Sequence, residues 1–204
     1  MFSSLSGRSV FPTGARSGIG VPIARQFAIR GARTLISARN PGKIKAVTTG
    51  MRVDGQQVQG QAASVADAAP EMALIQASME KHGGLNVLCC NAVTYLSGAL
   101  ESLIEADRER VMRTNAKGTF LCKQASLPLR LTGHGRVILT SSSTGSVTGS
   151  PGWTDYGASK AAQLGLCVPR RMNRSSESAG SRSNDTSFYS GLGPSAASSP
   201  EDGA

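Results

Sequence analysis

Ser9-Val10-Phe11-Pro12-Thr13-Gly14-Ala15-Arg16-Ser17-Gly18-Ile19-Gly20 is the stretch that decides the fold. A short apolar run ends at Thr13, glycines stand at 14, 18 and 20, and a helical pattern opens at Ile19. Glycines between a strand and a helix permit a tight turn. They also let backbone N–H groups at the helix N-terminus approach a pyrophosphate closely. The spacing alone says little; its position between strand and helix gives it weight.

Outward from this segment, short apolar runs alternate with longer helical patterns, as a parallel sheet with crossover helices requires. Strands are expected at Ser9–Thr13, Thr34–Ala38, Val58–Ala62, Leu85–Cys90 and Arg136–Thr140. Helices are expected near Ile19–Arg30, Pro41–Met51, Ala68–His82, Glu101–Leu131 and Asp155–Cys167. Five strands with right-handed crossovers make an α/β fold, a Rossmann-like doubly wound parallel sheet, truncated after the helix that carries Tyr156 and Lys160. Residues 1–167 form one incomplete nucleotide-binding domain in this reading. From residue 168 to 204 the chain turns to Ser, Gly, Pro and Arg with no steady period, which reads as a disordered tail.

A chain of 204 residues with 39% apolar content suits one medium domain. The net charge of +9 comes from scattered arginines rather than one run, and only nine residues are aromatic, which argues against a nucleic-acid partner. No stretch of 18 apolar residues and no apolar leader is present, so no membrane partner is expected. The four cysteines, Cys89, Cys90, Cys122 and Cys167, lack both metal-ligand spacing and disulfide-scaffold density, which leaves no metal site and points to a reducing cytoplasm.

Two further segments carry chemistry. Where the second strand ends, Ala38 and Arg39 occupy the turn in which an acidic residue would hold a ribose 2′-hydroxyl. An arginine there suits a 2′-phosphate, so NADP(H) is preferred over NAD(H), and Arg16 in the glycine loop adds a second cation. Downstream, Ser142-Ser143-Thr144-Gly145 precedes Tyr156-Gly157-Ala158-Ser159-Lys160. A phenol titrating near ~10 is a poor acid–base group at neutral pH, but a cation one helical turn away favours the phenolate. Tyr156 and Lys160 have that i, i+4 spacing.

Together these residues resemble the short-chain dehydrogenase/reductase family, closest to its bacterial 3-oxoacyl-(acyl-carrier-protein) reductase-like members. The resemblance covers residues 7 to about 166. It rests on Thr13-Gly14-x-x-x-Gly18-Ile19-Gly20, Asn91-Ala92, Asn115-x-x-Gly118-Thr119-Phe120, Ser141-Ser142-x-x-Gly145 and Tyr156-x-x-x-Lys160. The resemblance implies Tyr156 as general acid toward a ketone or 3-oxoacyl oxygen, with Ser142 polarising that oxygen and Ser143 as the alternative. It implies that Lys160 lowers the Tyr156 pKa and binds the nicotinamide ribose, and that Asn115 holds a water linking Lys160 to solvent. Gly14, Ser17, Gly18, Ile19, Gly20, Asn91 and Ala92 would line the cofactor beside Arg16, Arg39, Tyr156 and Lys160. The substrate would be a small carbonyl or alcohol, or an acyl-carrier-bound compound, and the protein a homo-oligomer. A catalytically inactive dinucleotide-binding remnant is the alternative.

Several positions depart from the family pattern. Pro12 ends a strand expected to be central, Val93 stands where a glycine would follow Asn-Ala, and Ser64 replaces an aspartate that would contact adenine. The family's sixth strand, substrate-covering segment and seventh strand are not legible after residue 167, and a frame-shifted reading of the tail is one account of that.

Overall fold

The computed structural model describes residues 4–126, 135–167 and 188–189. Its centre is a parallel sheet of β1 (Ser9–Pro12), β2 (Arg33–Ala38), β3 (Val58–Ala62), β4 (Val87–Cys90), β5 (Arg136–Thr140) and β6 (Phe188–Tyr189). The order is β3-β2-β1-β4-β5-β6, so the chain reverses direction across the sheet between β1 and β4. That reversal creates a crevice at the carboxyl ends of the two strands, the usual place for a ligand in such folds.

Alternation along the strands sends side chains to two cores. Phe11, Leu35, Leu88 and Cys90 meet Leu74 and Ile75 of α3 (Ala68–His82) and Cys122 of α5 (Gly118–Ala125) on one face. On the other face, Ile36, Ala38 and Val58 meet Ala24 and Ala28 of α1 (Gly20–Ile29) and Ile44 and Met51 of α2 (Pro41–Val53). The adjacent cysteines divide between the faces: Cys90 joins the first core and Cys89 packs with Val10 and Ala32. Burial pushes the Cys89 thiol far up, consistent with an inert core residue.

Local signals account for several boundaries. The Asn40 side chain accepts from the Lys43 amide at 2.9 Å and Pro41 occupies the first turn of α2. Gly83, left-handed at φ 68°, ends α3. All five expected strands form, to within two residues at their ends.

The single helix expected over Glu101–Leu131 is corrected over 101–126, residues 127–131 lying outside the described residues. It divides into a 3₁₀ turn at Leu100–Ser102, α4 (Glu105–Met112), a π-turn at Arg113–Lys117, and α5. The break has a use, because a π-turn releases a main-chain carbonyl from the helical ladder at Asn115. Beyond the five expected strands, one further pairing follows α6 (Thr154–Leu166). Phe188 and Tyr189 pair with Leu139 and Thr140 as a short parallel edge strand. The rest of the expected tail, 168–187 and 190–204, lies outside the described residues.

Candidate active site

The glycine loop sits at the carboxyl end of β1. Gly14 is at φ 68°, and a Cβ there would lie 2.6 Å from the Ala92 Cα. A Cβ on Gly20 would lie 2.6 Å from the Gly14 oxygen. Gly18, at φ 55°, has no atom within 4 Å of its Cβ position, so this part of the loop faces open space. Among the described residues no side chain caps α1 and no acidic residue lies in its first turn, so no negative charge there competes for the positive dipole end. Thr13, not singled out from the sequence as a binding residue, ties the loop to β4. Its hydroxyl accepts the Asn91 and Ala92 amides at 3.1 and 3.0 Å. Asn91 Nδ2 donates to the Thr13 carbonyl at 3.2 Å.

Arg39 is exposed at the end of β2 and Arg16 is half-buried in the loop. Neither makes an ion pair with a described residue.

At the carboxyl ends of β4 and β5 the structure gathers the residues expected to do proton chemistry. Lys160 is 2% exposed, and its Nζ donates to the Thr140 carbonyl at 2.8 Å and to Gln163 Oε1 at 2.9 Å. Nζ also lies 5.5 Å from the centroid of the Tyr156 ring, within cation–π range. Burial lowers the Lys160 pKa from 10.5 to about 8. Half-buried Tyr156 sits one turn earlier on α6. Its amide donates to Asp155 Oδ1 at 2.7 Å, an acid placed favourably in the first turn.

Asn115 is fully buried, and its side chain is completely used. Oδ1 accepts the Thr94 amide at 2.8 Å, and Nδ2 donates to the Thr94 carbonyl at 2.8 Å and to Ser159 Oγ at 2.9 Å. The carbonyl released by the π-turn accepts from Gln163 Nε2 at 3.1 Å and from Thr119 Oγ1 at 2.6 Å. Gln163 therefore joins Lys160 to Asn115 through one amide. The sequence reasoning missed it, although its position three residues after Lys160 puts it on the same helix face.

Ser142 lies two residues past β5, and its Oγ accepts the Thr144 amide at 3.2 Å. The serine loop is fixed to the tyrosine helix by two glycines. Gly145, at φ 88°, approaches so closely that a Cβ would lie 2.0 Å from the Gly157 oxygen. Ser143 contributes its carbonyl, which accepts the Val147 amide at 2.9 Å. Val93 is exposed, and Ser64 is half-buried with its carbonyl taking the Asp67 amide at 3.0 Å. Among the described residues no group of three or more His, Cys, Asp or Glu could hold a metal, and no helix is long and apolar enough to cross a membrane.

A doubly wound parallel sheet with a glycine loop at the β1–β4 switch point is the architecture of a Rossmann-like fold. The family model for short chain dehydrogenase matches residues 8–174, and the chain belongs to that family. It is 36% identical over 159 residues to oxidoreductase asL5 of Sarocladium schorii, a match covering 78% of this chain and 62% of that protein. It is 34% identical over 160 residues to the 3-oxoacyl-[acyl-carrier-protein] reductase FabG of Staphylococcus aureus, covering 78% and 65%. Among solved structures, a putative short-chain alcohol dehydrogenase of Sinorhizobium meliloti 1021 superposes with TM-score 0.75 at 32% identity, covering 80% and 65%. A metagenomic short-chain oxidoreductase in complex with NADP gives 0.76 at 30% identity, covering 81% and 75%. The chain thus spans just under two thirds of the length of these two curated relatives.

Proposed function

We propose that this chain is an NADP(H)-dependent reductase that converts a ketone or 3-oxoacyl group to the alcohol. The observation that carries the reading is a lysine buried to 2% exposure, hydrogen-bonded to the end of β5, with its charge 5.5 Å from the ring of a half-buried tyrosine. Burying an ammonium group without a carboxylate partner is costly, and such a charge serves chemistry better than stability.

In this reading Tyr156 donates its proton to the carbonyl oxygen and Ser142 Oγ holds that oxygen by a second hydrogen bond. Lys160 stabilises the phenolate left behind, and Gln163 and the Thr140 carbonyl hold its ammonium group in place. The residues fit a phosphorylated dinucleotide. Gly14, Ser17, Gly18, Ile19 and Gly20 would cradle the pyrophosphate, Arg39 and Arg16 the 2′-phosphate, Asn91 and Ala92 the middle of the molecule, and Lys160 the nicotinamide ribose. When bound, it supplies the hydride. The known NADP complex of a relative at 30% identity supports the preference for the phosphorylated form.

Thermal-shift titration with NADPH and NADH tests the binding half, because a ligand of the folded state must raise the unfolding midpoint. Tyr156→Phe tests the chemical half. Reduction should fall by roughly 10²–10⁴-fold, the usual worth of a general acid, while the NADPH-induced shift persists. Turnover equal to the parent would remove Tyr156 from the mechanism. A shift with NADPH but no turnover of any ketone would leave a dinucleotide-binding protein without catalysis.

A further inference from the structure

We infer that a pocket at the amino ends of β2 and β3 binds a small oxyanion that also carries hydroxyl groups, a hydroxylated carboxylate or phosphate ester. The pocket encloses about 400 Å³, within the range of small-molecule sites, roughly 300–1,000 Å³. A bare ion would fill little of it. Arg33 and Arg52 line it together with Gln56, Gln57, Gln59 and His82. It lies at the opposite end of β2 from Arg39. That strand runs from Arg33 to Ala38, roughly 16 Å at about 3.3 Å per residue, so this pocket is separate from the proposed dinucleotide site.

Charge selects the anion. No Asp or Glu is among the described residues that line the pocket, and neither arginine makes an ion pair with a described residue. Each guanidinium is partly used on the main chain. Arg33 Nη2 donates to the Gly7 and His82 carbonyls at 2.8 and 3.2 Å, and Arg52 Nε donates to the Val58 carbonyl at 2.8 Å. A guanidinium has five N–H donors, so these bonds anchor the two groups and leave others over. On exposed Arg52 the pair of Nη groups has no partner among the described residues, and such a fork suits a carboxylate or phosphate. The carboxyl ends of α2 and α3 also reach this pocket, through Arg52 and His82, and each brings about half a negative charge. Two cations against two half charges leave roughly one positive charge, the complement of one oxyanion group.

The rest of the lining selects hydroxyls. Three carboxamides stand where an apolar body would need aliphatic or aromatic walls, and the one apolar side chain among the described lining residues, Val58, is 2% exposed. Two polar atoms of the lining residues are also unsatisfied. Arg33 Nε and Gln56 Oε1 are buried and have no hydrogen-bond partner among the described residues. Orphaned groups of this kind cost free energy, which is recovered when a ligand draws their side chains into the pocket. Arg33 Nε requires an acceptor, which an oxyanion supplies. Gln56 Oε1 requires a donor; a hydroxyl supplies one, whereas an ammonium group would be repelled by the two guanidinium groups. The frame behind these side chains is fixed by the ladder. The Thr34 amide donates to the Gln57 carbonyl at 2.9 Å and the Val58 amide to the Gln56 carbonyl at 3.1 Å.

Six-carbon probes separate charge from hydroxyls. The 204-residue protein is titrated by calorimetry, without NADPH, with gluconate and glucose 6-phosphate, which carry both, with hexanoate, which carries charge alone, and with sorbitol, which carries hydroxyls alone. Gluconate or glucose 6-phosphate should bind at least about tenfold more tightly than hexanoate and sorbitol, and whichever of the two leads identifies the oxyanion. Gln57→Glu puts a carboxylate into the pocket on an exposed side chain, and Arg52→Gln removes a cation. Each should weaken binding about tenfold or more, with the urea midpoint of Gln57→Glu at the parent value. Arg39→Ala, at the far end of β2, should bind within about twofold of the parent. No binding of either hydroxylated acid, equal binding of hexanoate or sorbitol, or parent-like binding by both pocket variants overturns the proposal. So does a loss in Arg39→Ala as large as that in Gln57→Glu, which would move the ligand to the other end of the sheet.

Discussion

Replacing Lys160 by methionine should change the pH dependence of stability in a way that few other substitutions in this chain would. The side chain is 2% exposed and burial lowers its pKa from 10.5 to about 8. At 1.36 kcal/mol per pH unit, that drop corresponds to about 3 kcal/mol of destabilisation wherever the lysine is charged in the folded protein. Below pH 8 both states hold the proton and the whole penalty is present. Between pH 8 and 10.5 the unfolded lysine keeps a proton that the folded one has released, so stability rises with pH. Above 10.5 both are neutral and the penalty is gone. Lys160→Met removes the penalty but strips a donor from the Thr140 carbonyl and Gln163 Oε1, at about 1–3 kcal/mol for each buried acceptor. At pH 7 the two effects nearly cancel, so the absolute stability decides nothing; the slope does. Urea unfolding of parent and variant from pH 7 to 10 should show the parent gaining about 2–3 kcal/mol relative to the variant, nearly all of it above pH 8. Other titrating groups cancel in the difference, and repeating the pair in a Tyr156→Phe background removes any phenolate contribution. A difference constant within about 0.5 kcal/mol would refute the claim that Lys160 is a desolvated cation.

The same titration gives a kinetic expectation: kcat/KM for reduction should decline above pH about 8, as Lys160 loses the charge that stabilises the phenolate. A flat profile to pH 9.5 would detach Lys160 from the proton transfer. Gly145→Ala should cost at least about 2 kcal/mol in urea unfolding, because its Cβ would press on the Gly157 oxygen at 2.0 Å and its φ of 88° disfavours side chains. Gly149→Ala, with nothing within 4 Å of its Cβ, should stay within about 1 kcal/mol of the parent, and equal losses would contradict the loop–helix contact. Arg39→Ala should weaken NADPH binding roughly 10- to 100-fold while leaving NADH nearly unchanged, the worth of one charge-assisted hydrogen bond. Equal losses for both cofactors would assign Arg39 another role.

The fold was legible because its signals are local. A strand, three glycines and a helix stand within residues 9–20, and the apolar runs elsewhere have strand length. The tyrosine–lysine pair was legible for the same reason, since one helical turn brings the two side chains together. What escaped depends on groups far apart in sequence. Gln163 matters only because the π-turn at Arg113–Lys117 offers it the Asn115 carbonyl, and a π-turn leaves no periodic trace. Tyr95 and Trp153 are 58 residues apart, in segments that the Gly98–Gly152 hydrogen bond joins. The Phe188–Tyr189 strand was hidden because a two-residue apolar pair in a polar stretch is too short to show alternation.

Pro12 shows how a position that looks wrong in sequence is accommodated. β1 is central, and a proline there lacks a ladder donor on one side. The next residue, Thr13, donates its amide to the Cys89 carbonyl on β4, so the donor missing at Pro12 faces β2. The β1–β2 pairing breaks at that point: it runs through Val10↔Thr34 and resumes only at Thr13↔Ser37. The glycine loop closes the gap, because the Gly14 and Ala15 amides both donate to the Ser37 carbonyl, at 2.8 and 3.3 Å. On the other side, Pro12 keeps its place opposite Cys89, where no donor is required of it. The proline therefore costs about one hydrogen bond in a ladder the loop rebuilds two residues later. Thr13 and Asn91 then carry that register from β1 to β4, across the crevice where the cofactor is proposed to lie.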